Sequence, residues 1–203
     1  MSWFSSSKKN ESALSKLSNK IFENSLFCAE TLKPNLEGKF GRDGKEFTLK
    51  HIPVLLEFIC FFLHLTDRYA FAQFGQEKRN KLIDELGPSA IDAMIQRLCD
   101  HWPTSSKDRL RKDFFDKFNS RQMEYGSCKE LLLDPKDDTR TLEKIRSGTK
   151  SEAMVGQLID NLSEIIDGKI NTNALFTVEI WGVVMESLKK KELQDLVSEV
   201  SMG

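Results

Sequence analysis

The stretch IPVLLEFICFFLHLTDRYAFAQF, residues 52–74, restricts the fold more than any other part of the chain. Residues 52–65 are almost wholly apolar, apart from Glu57 and His64. A helix that is apolar around its whole axis has to be surrounded by other elements. Because a bilayer span needs about 20 apolar residues, the run is too short to cross a membrane. The sequence therefore predicts a buried central helix and no membrane span.

Apolar residues at helical spacing recur along most of the chain and predict an all-α fold, a bundle of six or seven helices. A first amphipathic helix over residues 10–32 is expected to end before Pro34, because a proline ring does not fit comfortably in a helix interior. The pair Gly87 and Pro88 likewise predicts a helix end. Ser89 is then expected to cap the next helix.

Three further patterns concern local structure. Ser105 and Asp108 have the spacing of a capping box and predict a helix from residue 106 onward. Residues 174–188 are apolar nearly all round, which predicts a second central helix that pairs with residues 52–74. Residues 36–49 contain two short alternating runs around an Asp-Gly pair, which indicates a short β-hairpin or, alternatively, a loop.

The domain organisation follows from one polar segment. Residues 134–148 combine charge and turn residues with little apolar periodicity, so they are expected to form an exposed linker. The linker separates an N-terminal helical region, residues 1–133, from a C-terminal helical pair, residues 149–203. Since 203 residues suffice for one core, both parts are predicted to pack together as one domain.

Composition narrows the classes of partner. Lys and Arg number 30 against 31 Asp and Glu, a formal net charge of −1 that gives no overall attraction for nucleic acid. Basic residues in 107–121 alternate with acids and phenylalanines, so they predict a solvated helix face and not a nucleic-acid site. The four cysteines are widely spaced and the N-terminus lacks a secretory pattern, so we expect a cytoplasmic protein with reduced thiols.

Polar residues of the central helix are the candidate site. At about 100° per residue, Glu57, His64 and Arg68 lie close to one stripe. Glu57 and His64 are two turns apart and are not expected to bond each other. Asp67 and Arg68 are three and four residues beyond His64 and can approach its ring. The four residues are therefore candidate ligand-binding residues; the alternative is a satisfied polar network that sets helix register.

Metal-binding and catalytic patterns are missing from the sequence. No Glu-x-x-His motif occurs, and none of His51, His64 and His101 is four residues from another, unlike the di-iron and zincin arrangements. The nucleophile motif G-x-S-x-G is also missing. We therefore assign no catalytic residue, metal ligand or cofactor.

Two functions remain open from sequence. The first is a non-enzymatic interaction or regulatory protein that acts through apolar helix faces, with a protein partner or with a second copy of itself. The second is a small-molecule-binding bundle, with or without enzymatic activity, whose pocket surrounds Glu57 and His64. An uncovered apolar surface favours the first, and a polar cavity beside His64 favours the second.

Overall fold

The computed structural model describes residues 12–40, 51–129, 153–167, 174–188 and 192–200. Within these ranges the chain is helical and forms no strand, so the predicted all-α bundle is confirmed. The described helices are α1 (Ala13–Phe40), α2 (Ile52–Phe74), α3 (Gln76–Leu98), α4 (Thr104–Ser127), α5 (Met154–Asp167), α6 (Ala174–Leu188) and α7 (Glu192–Val200).

Helix α2 is the central element, as its composition predicted. It packs against α1, α3, α4, α5 and α7, and every residue from Val54 to Thr66 is buried. Pro53 lies in the first turn, where a missing N–H costs no intrahelical bond. Gly75 ends the helix at φ 75°, and its N–H donates to the carbonyl oxygen of Phe71 at 3.0 Å. The apolar spacing and the glycine together set the limits of α2.

Helices α1 and α3 continue through the prolines that were predicted to end them. Helix α1 runs past Pro34 to Phe40, and α3 contains Pro88 in its interior. Neither Pro34 nor the Gly87–Pro88 pair ends a helix, so both predictions are wrong. In α3 the flanking residues Leu86 and Ala90 are buried, and tertiary packing of this kind outweighs local helix preference.

Two local predictions at helix starts also fail. Ser89 does not cap a new helix; its hydroxyl donates to Ser18 of α1 at 2.9 Å and ties α3 to α1. Ser105 and Asp108 form no capping box, because α4 begins at Thr104 without a side-chain cap. Asp108 instead pairs with Arg111 at 2.8 Å. The Ser89 contact joins two helices of the folded bundle, whereas the Asp108–Arg111 pair lies within one turn of α4.

The predicted β-hairpin over residues 36–49 is wrong in its first strand, because residues 36–40 belong to α1. Residues 41–50 lie outside the described part of the chain, as does the predicted linker over residues 134–148. The division of the chain at that linker stays a prediction.

Helix α6 lies at the edge of the bundle, contrary to the prediction that it would pair with α2 at the centre. It packs mainly against α1 and α5. Ile180 and Val184 are buried, whereas Val178 is 40% exposed and Gly182 is also exposed. Positions 178, 182 and 186 share one face and are all exposed, so the described residues do not surround this helix on every side.

The core is continuous from α1 to α7. Its largest fully buried side chains are aromatic and come from α1, α2 and α4, namely Phe22, Phe58, Phe61, Phe62, Phe114 and Tyr125. Across the described ranges, none of the helices has both the length and the apolar character that crossing a bilayer demands.

Two glycines are expected to respond oppositely to alanine. A Cβ added to buried Gly87 would lie 3.6 Å from Cε1 of Phe115, an ordinary contact. Since helical glycine costs about 0.5–1 kcal/mol relative to alanine, Gly87→Ala should raise the free energy of unfolding by about that amount. Gly75→Ala should lower it by about 1–3 kcal/mol, because a side chain is strained at positive φ. Urea unfolding measures both, and equal effects would contradict the assignment.

Candidate functional site

The carboxylate of Glu57 is surrounded by donors from two other helices. Its Oε1 accepts hydrogen bonds from Tyr125 Oη at 2.8 Å and from Asn161 Nδ2 at 2.9 Å. Its Oε2 accepts a hydrogen bond from Arg121 Nε at 3.2 Å and lies 2.9 Å from Lys117 Nζ. Glu57 is fully buried, so these four groups replace the water that its charge would otherwise require.

Three of these donors are aligned along α4. Lys117, Arg121 and Tyr125 are spaced four residues apart, which places their side chains one above another on the face towards α2. The charged ends of the two basic residues reach Glu57. Only 20% of the Lys117 side chain and 13% of the Arg121 side chain are exposed. The predicted solvated face of 107–121 is therefore wrong for these two residues.

Charges within the cluster balance one another. Burial would raise the pKa of Glu57, but the positive charges of Lys117 and Arg121 and hydrogen bonds from Lys117 and Tyr125 hold it below its ordinary value. Burial and the Glu57 charge raise the pKa of Tyr125 well above its usual range, so the phenol stays protonated and donates. Arg121 is also paired with Glu124 at 2.8 Å, which offsets the second cation.

Helix α5 contributes an amide that is itself held in place. Asn161 is fully buried among the apolar residues of α5. Gln157, one turn earlier, donates to Asn161 Oδ1 at 3.0 Å, which orients the amide so that Nδ2 faces Glu57. The cluster therefore joins α2, α4 and α5 through a continuous set of hydrogen bonds, the structural network that was the alternative interpretation of Glu57.

His64 lies in an aromatic environment and not beside the partners expected from sequence. Its ring stacks on Phe118 with centroids 4.7 Å apart, and the Tyr125 ring centroid lies 5.2 Å away. Nε2 of His64 has no hydrogen-bond partner among the residues that the structure describes. Burial lowers the pKa of His64 to about 4, and the charge of Asp67 only partly opposes this effect. The imidazole is consequently neutral at neutral pH.

Asp67 and Arg68 bind elsewhere instead of approaching His64. Arg79 of α3 donates through Nε and Nη2 to the two carboxylate oxygens of Asp67. Arg68 donates through Nη2 to the backbone carbonyl oxygen of Tyr125 at 2.6 Å and to that of Cys128. Carbonyls at a helix C-terminus favour a cation, so Arg68 secures the last turn of α4. The expected local contacts with the His64 ring are not formed.

A surface pocket adjoins the C-terminal part of α2. It is open to solvent, has a volume of about 540 Å³ and is lined by Asp67, Arg68, Phe71, Ala72, Gln76, Arg79, Gly126 and Cys128. Glu57 and His64 are not part of this lining. The four predicted site residues thus divide into an inner pair within the bundle and an outer pair in the pocket wall.

Several residues of the two sites were missed in the sequence. The four-residue spacing of Lys117, Arg121 and Tyr125 was visible, but the same spacing is typical of an exposed helix face. Asn161 stands out only as a polar residue within the apolar face of α5. Arg79 has no distinguishing signal, because its partner Asp67 lies on the preceding helix.

The inner cluster has the chemistry of a structural network. A general base needs an oxygen within reach of a substrate proton, whereas both oxygens of Glu57 are buried and accept protein hydrogen bonds. In the described ranges, no group of three or more His, Cys, Asp or Glu residues is arranged to hold a metal ion.

Removing the charge of Glu57 is expected to destabilise the fold strongly. Glu57→Gln leaves Lys117 and Arg121 without their buried counter-charge and should cost about 3–5 kcal/mol of unfolding free energy. Tyr125→Phe removes one of several donors and should cost only about 1–2 kcal/mol. Urea unfolding at pH 7, followed by circular dichroism, measures both. A Glu57→Gln protein as stable as the wild type would contradict the structural role.

The stability of the protein is expected to fall with acidification through His64. An unfolded histidine takes up a proton near pH 6.5, whereas buried His64 does so only at about pH 4. Its contribution is complete above pH 6.5 and is lost as the pH falls towards 4. His64→Phe keeps an aromatic ring on Phe118 and should reduce the slope of unfolding free energy between these values.

The control for this measurement is His101→Gln, which replaces an exposed histidine. Glu57 acts at lower pH: its folded pKa is lowered, so its contribution is lost only below the ordinary carboxyl range. Equal slopes for wild type and His64→Phe would contradict the assignment to His64.

Comparison with known proteins identified no relative of this chain. No family model matches the chain, no curated protein matches it, and no solved structure matches its fold. The chemical interpretation of both sites rests on the contacts described above.

Proposed function

We propose that this protein is a non-enzymatic interaction protein that binds a segment of a partner protein at the pocket beside the C-terminal part of α2. The observation that carries the proposal is the exposure of Phe71 beside this pocket. Helix α2 is buried from Val54 to Thr66, yet Phe71 is 57% exposed and lies in the wall of the open pocket. Exposed aromatic side chains beside a pocket are typical anchors of protein interfaces.

The other large apolar side chains that are exposed in the described ranges do not have this setting. Met123 on α4 is 84% exposed, Phe27 on α1 is 44% exposed and Val178 on α6 is 40% exposed. None of the three lines the pocket. Single exposed apolar residues are normal on protein surfaces. Phe71 differs because a concave surface next to it can receive a side chain.

The shape of the pocket favours a protein segment over a small molecule. Small-molecule sites usually bury about 70–90% of their ligand, whereas this pocket is open to solvent and would leave much of an occupant exposed. The second function expected from sequence, a small-molecule site around Glu57 and His64, has less support. Four protein donors already occupy the carboxylate of Glu57.

Peptide selection tests this proposal. A random peptide library displayed on phage, selected against the immobilised full-length protein, should yield peptides that bind the pocket. Phe71→Ala should weaken their binding by at least about tenfold, which corresponds to about 1.4 kcal/mol. Phe27→Ala is the matched control, since it removes an exposed phenylalanine outside the pocket and should leave affinity unchanged. Fluorescence anisotropy with labelled peptides measures the dissociation constants.

Two outcomes would overturn the proposal. The first is a selection that yields no binder, or binders whose affinity is the same for wild type and Phe71→Ala. The second is a concentration-dependent dimer, observed by sedimentation, that Phe71→Ala dissociates. In that case the pocket is occupied by a second copy of this chain and not by a segment of another protein.

A further inference from the structure

The pocket beside α2 is positively charged. Two of its lining residues, Arg68 and Arg79, carry guanidinium groups, and Asp67 carries its only carboxylate among the described residues. The rest of the lining is uncharged and mostly apolar. This local excess contrasts with the formal net charge of −1 for the whole chain. Charge complementarity selects a partner of opposite sign, so the pocket favours an acidic group with apolar neighbours.

Arg68 is fixed through one nitrogen and has others available. Its Nη2 donates to two backbone carbonyls at the end of α4, which holds the guanidinium in place. Within the described residues, its Nε and Nη1 form no hydrogen bond, and neither is among the buried polar atoms that lack a partner. Both N–H groups therefore remain available as donors. A guanidinium that is already positioned loses little conformational entropy when it binds a carboxylate.

Asp67 shows that an arginine of the pocket wall can bind a carboxylate. It is held by Arg79 through two hydrogen bonds, and the pair is partly exposed in the pocket wall. Its negative charge attracts the same cations that an incoming acid would use. The Asp67 side chain is only 14% exposed and the pair is bidentate, so Asp67 keeps Arg79 occupied and opposes a second carboxylate by charge repulsion.

We infer that the pocket recognises an aspartate or glutamate side chain flanked by apolar residues, and that Asp67 competes with it. Arg68 holds the ligand carboxylate through Nε or Nη1, and Phe71 contacts an apolar neighbour of the acid. Asp67 reduces the affinity, because it occupies Arg79 and repels the incoming charge. The inference rests on the proposed docking function and adds the chemical class of the docked segment.

The probe is the tightest Phe71-dependent peptide from the display selection. It is compared with versions in which each acidic residue is replaced by its amide, and one replacement should weaken binding by at least about tenfold. Asp67→Asn should tighten the acidic peptide about three- to tenfold and leave the amide version unchanged. Asp92→Asn is the matched control, because it breaks the Asp92–Arg111 pair outside the pocket and should have no effect.

Arg68 is tested in the wild-type protein, since its replacement also releases the end of α4. The side-chain Nε–H resonance of Arg68, observed by NMR, should shift when the acidic peptide is added and should stay in place with the amide version. Binding of N-acetylglutamate, a small free acid, is measured separately. Binding of this small acid as tight as that of the peptide would make a free anion the ligand and overturn recognition within a segment.

Failure of the inference is distinguishable from failure of the docking function. Peptides that depend on Phe71 but are indifferent to acid-to-amide replacement and to Asp67→Asn would overturn the acidic ligand and leave the docking surface intact. Weaker binding to Asp67→Asn would show that Asp67 pairs with a cation of the ligand, which also overturns the inference. A selection without any Phe71-dependent peptide overturns the docking function itself.

Discussion

A carboxylate within an apolar helix costs several kcal/mol unless other charges and donors replace its water, and the arrangement of α2, α4 and α5 meets this requirement at Glu57. Apolar surfaces alone tolerate small rotations and shifts between helices. Hydrogen bonds do not, because donors from α4 and α5 have to reach the same two oxygen atoms. We infer that the buried charge fixes the register of three helices while apolar burial supplies most of the stability.

Local signals in the sequence predicted much of the fold. The limits of α2 follow from its apolar run, Pro53 in the first turn and Gly75 at the end. The partners of Glu57 were not predictable in the same way, because Arg121 lies 64 residues away along the chain. A stripe of basic residues on one helix is equally compatible with solvent and with a buried acid on another helix. The helix end predicted at Pro88 failed for a related reason, since packing of its buried neighbours outweighs local preference.

The candidate site shows the limit of a helical stripe as a predictor. Glu57, His64 and Arg68 lie on the same side of α2, yet the burial of that side changes along the helix. Neighbouring helices cover Glu57 and His64, whereas Asp67 and Arg68 line an open pocket. Helical periodicity predicts the side of the helix on which a residue lies. How deeply that residue is buried depends on helices that are distant in sequence. One stripe therefore contains a structural network and a proposed docking surface.

Tyr125 connects these two regions. Its hydroxyl donates to Glu57 in the core, and its backbone carbonyl accepts a hydrogen bond from Arg68 at the pocket. The last turn of α4 is thus attached to α2 through both the side chain and the main chain of the same residue. Fraying, which is usual at helix ends, would here also release a buried carboxylate from one of its donors. The end of α4 should accordingly open together with the core and not as an independent unit.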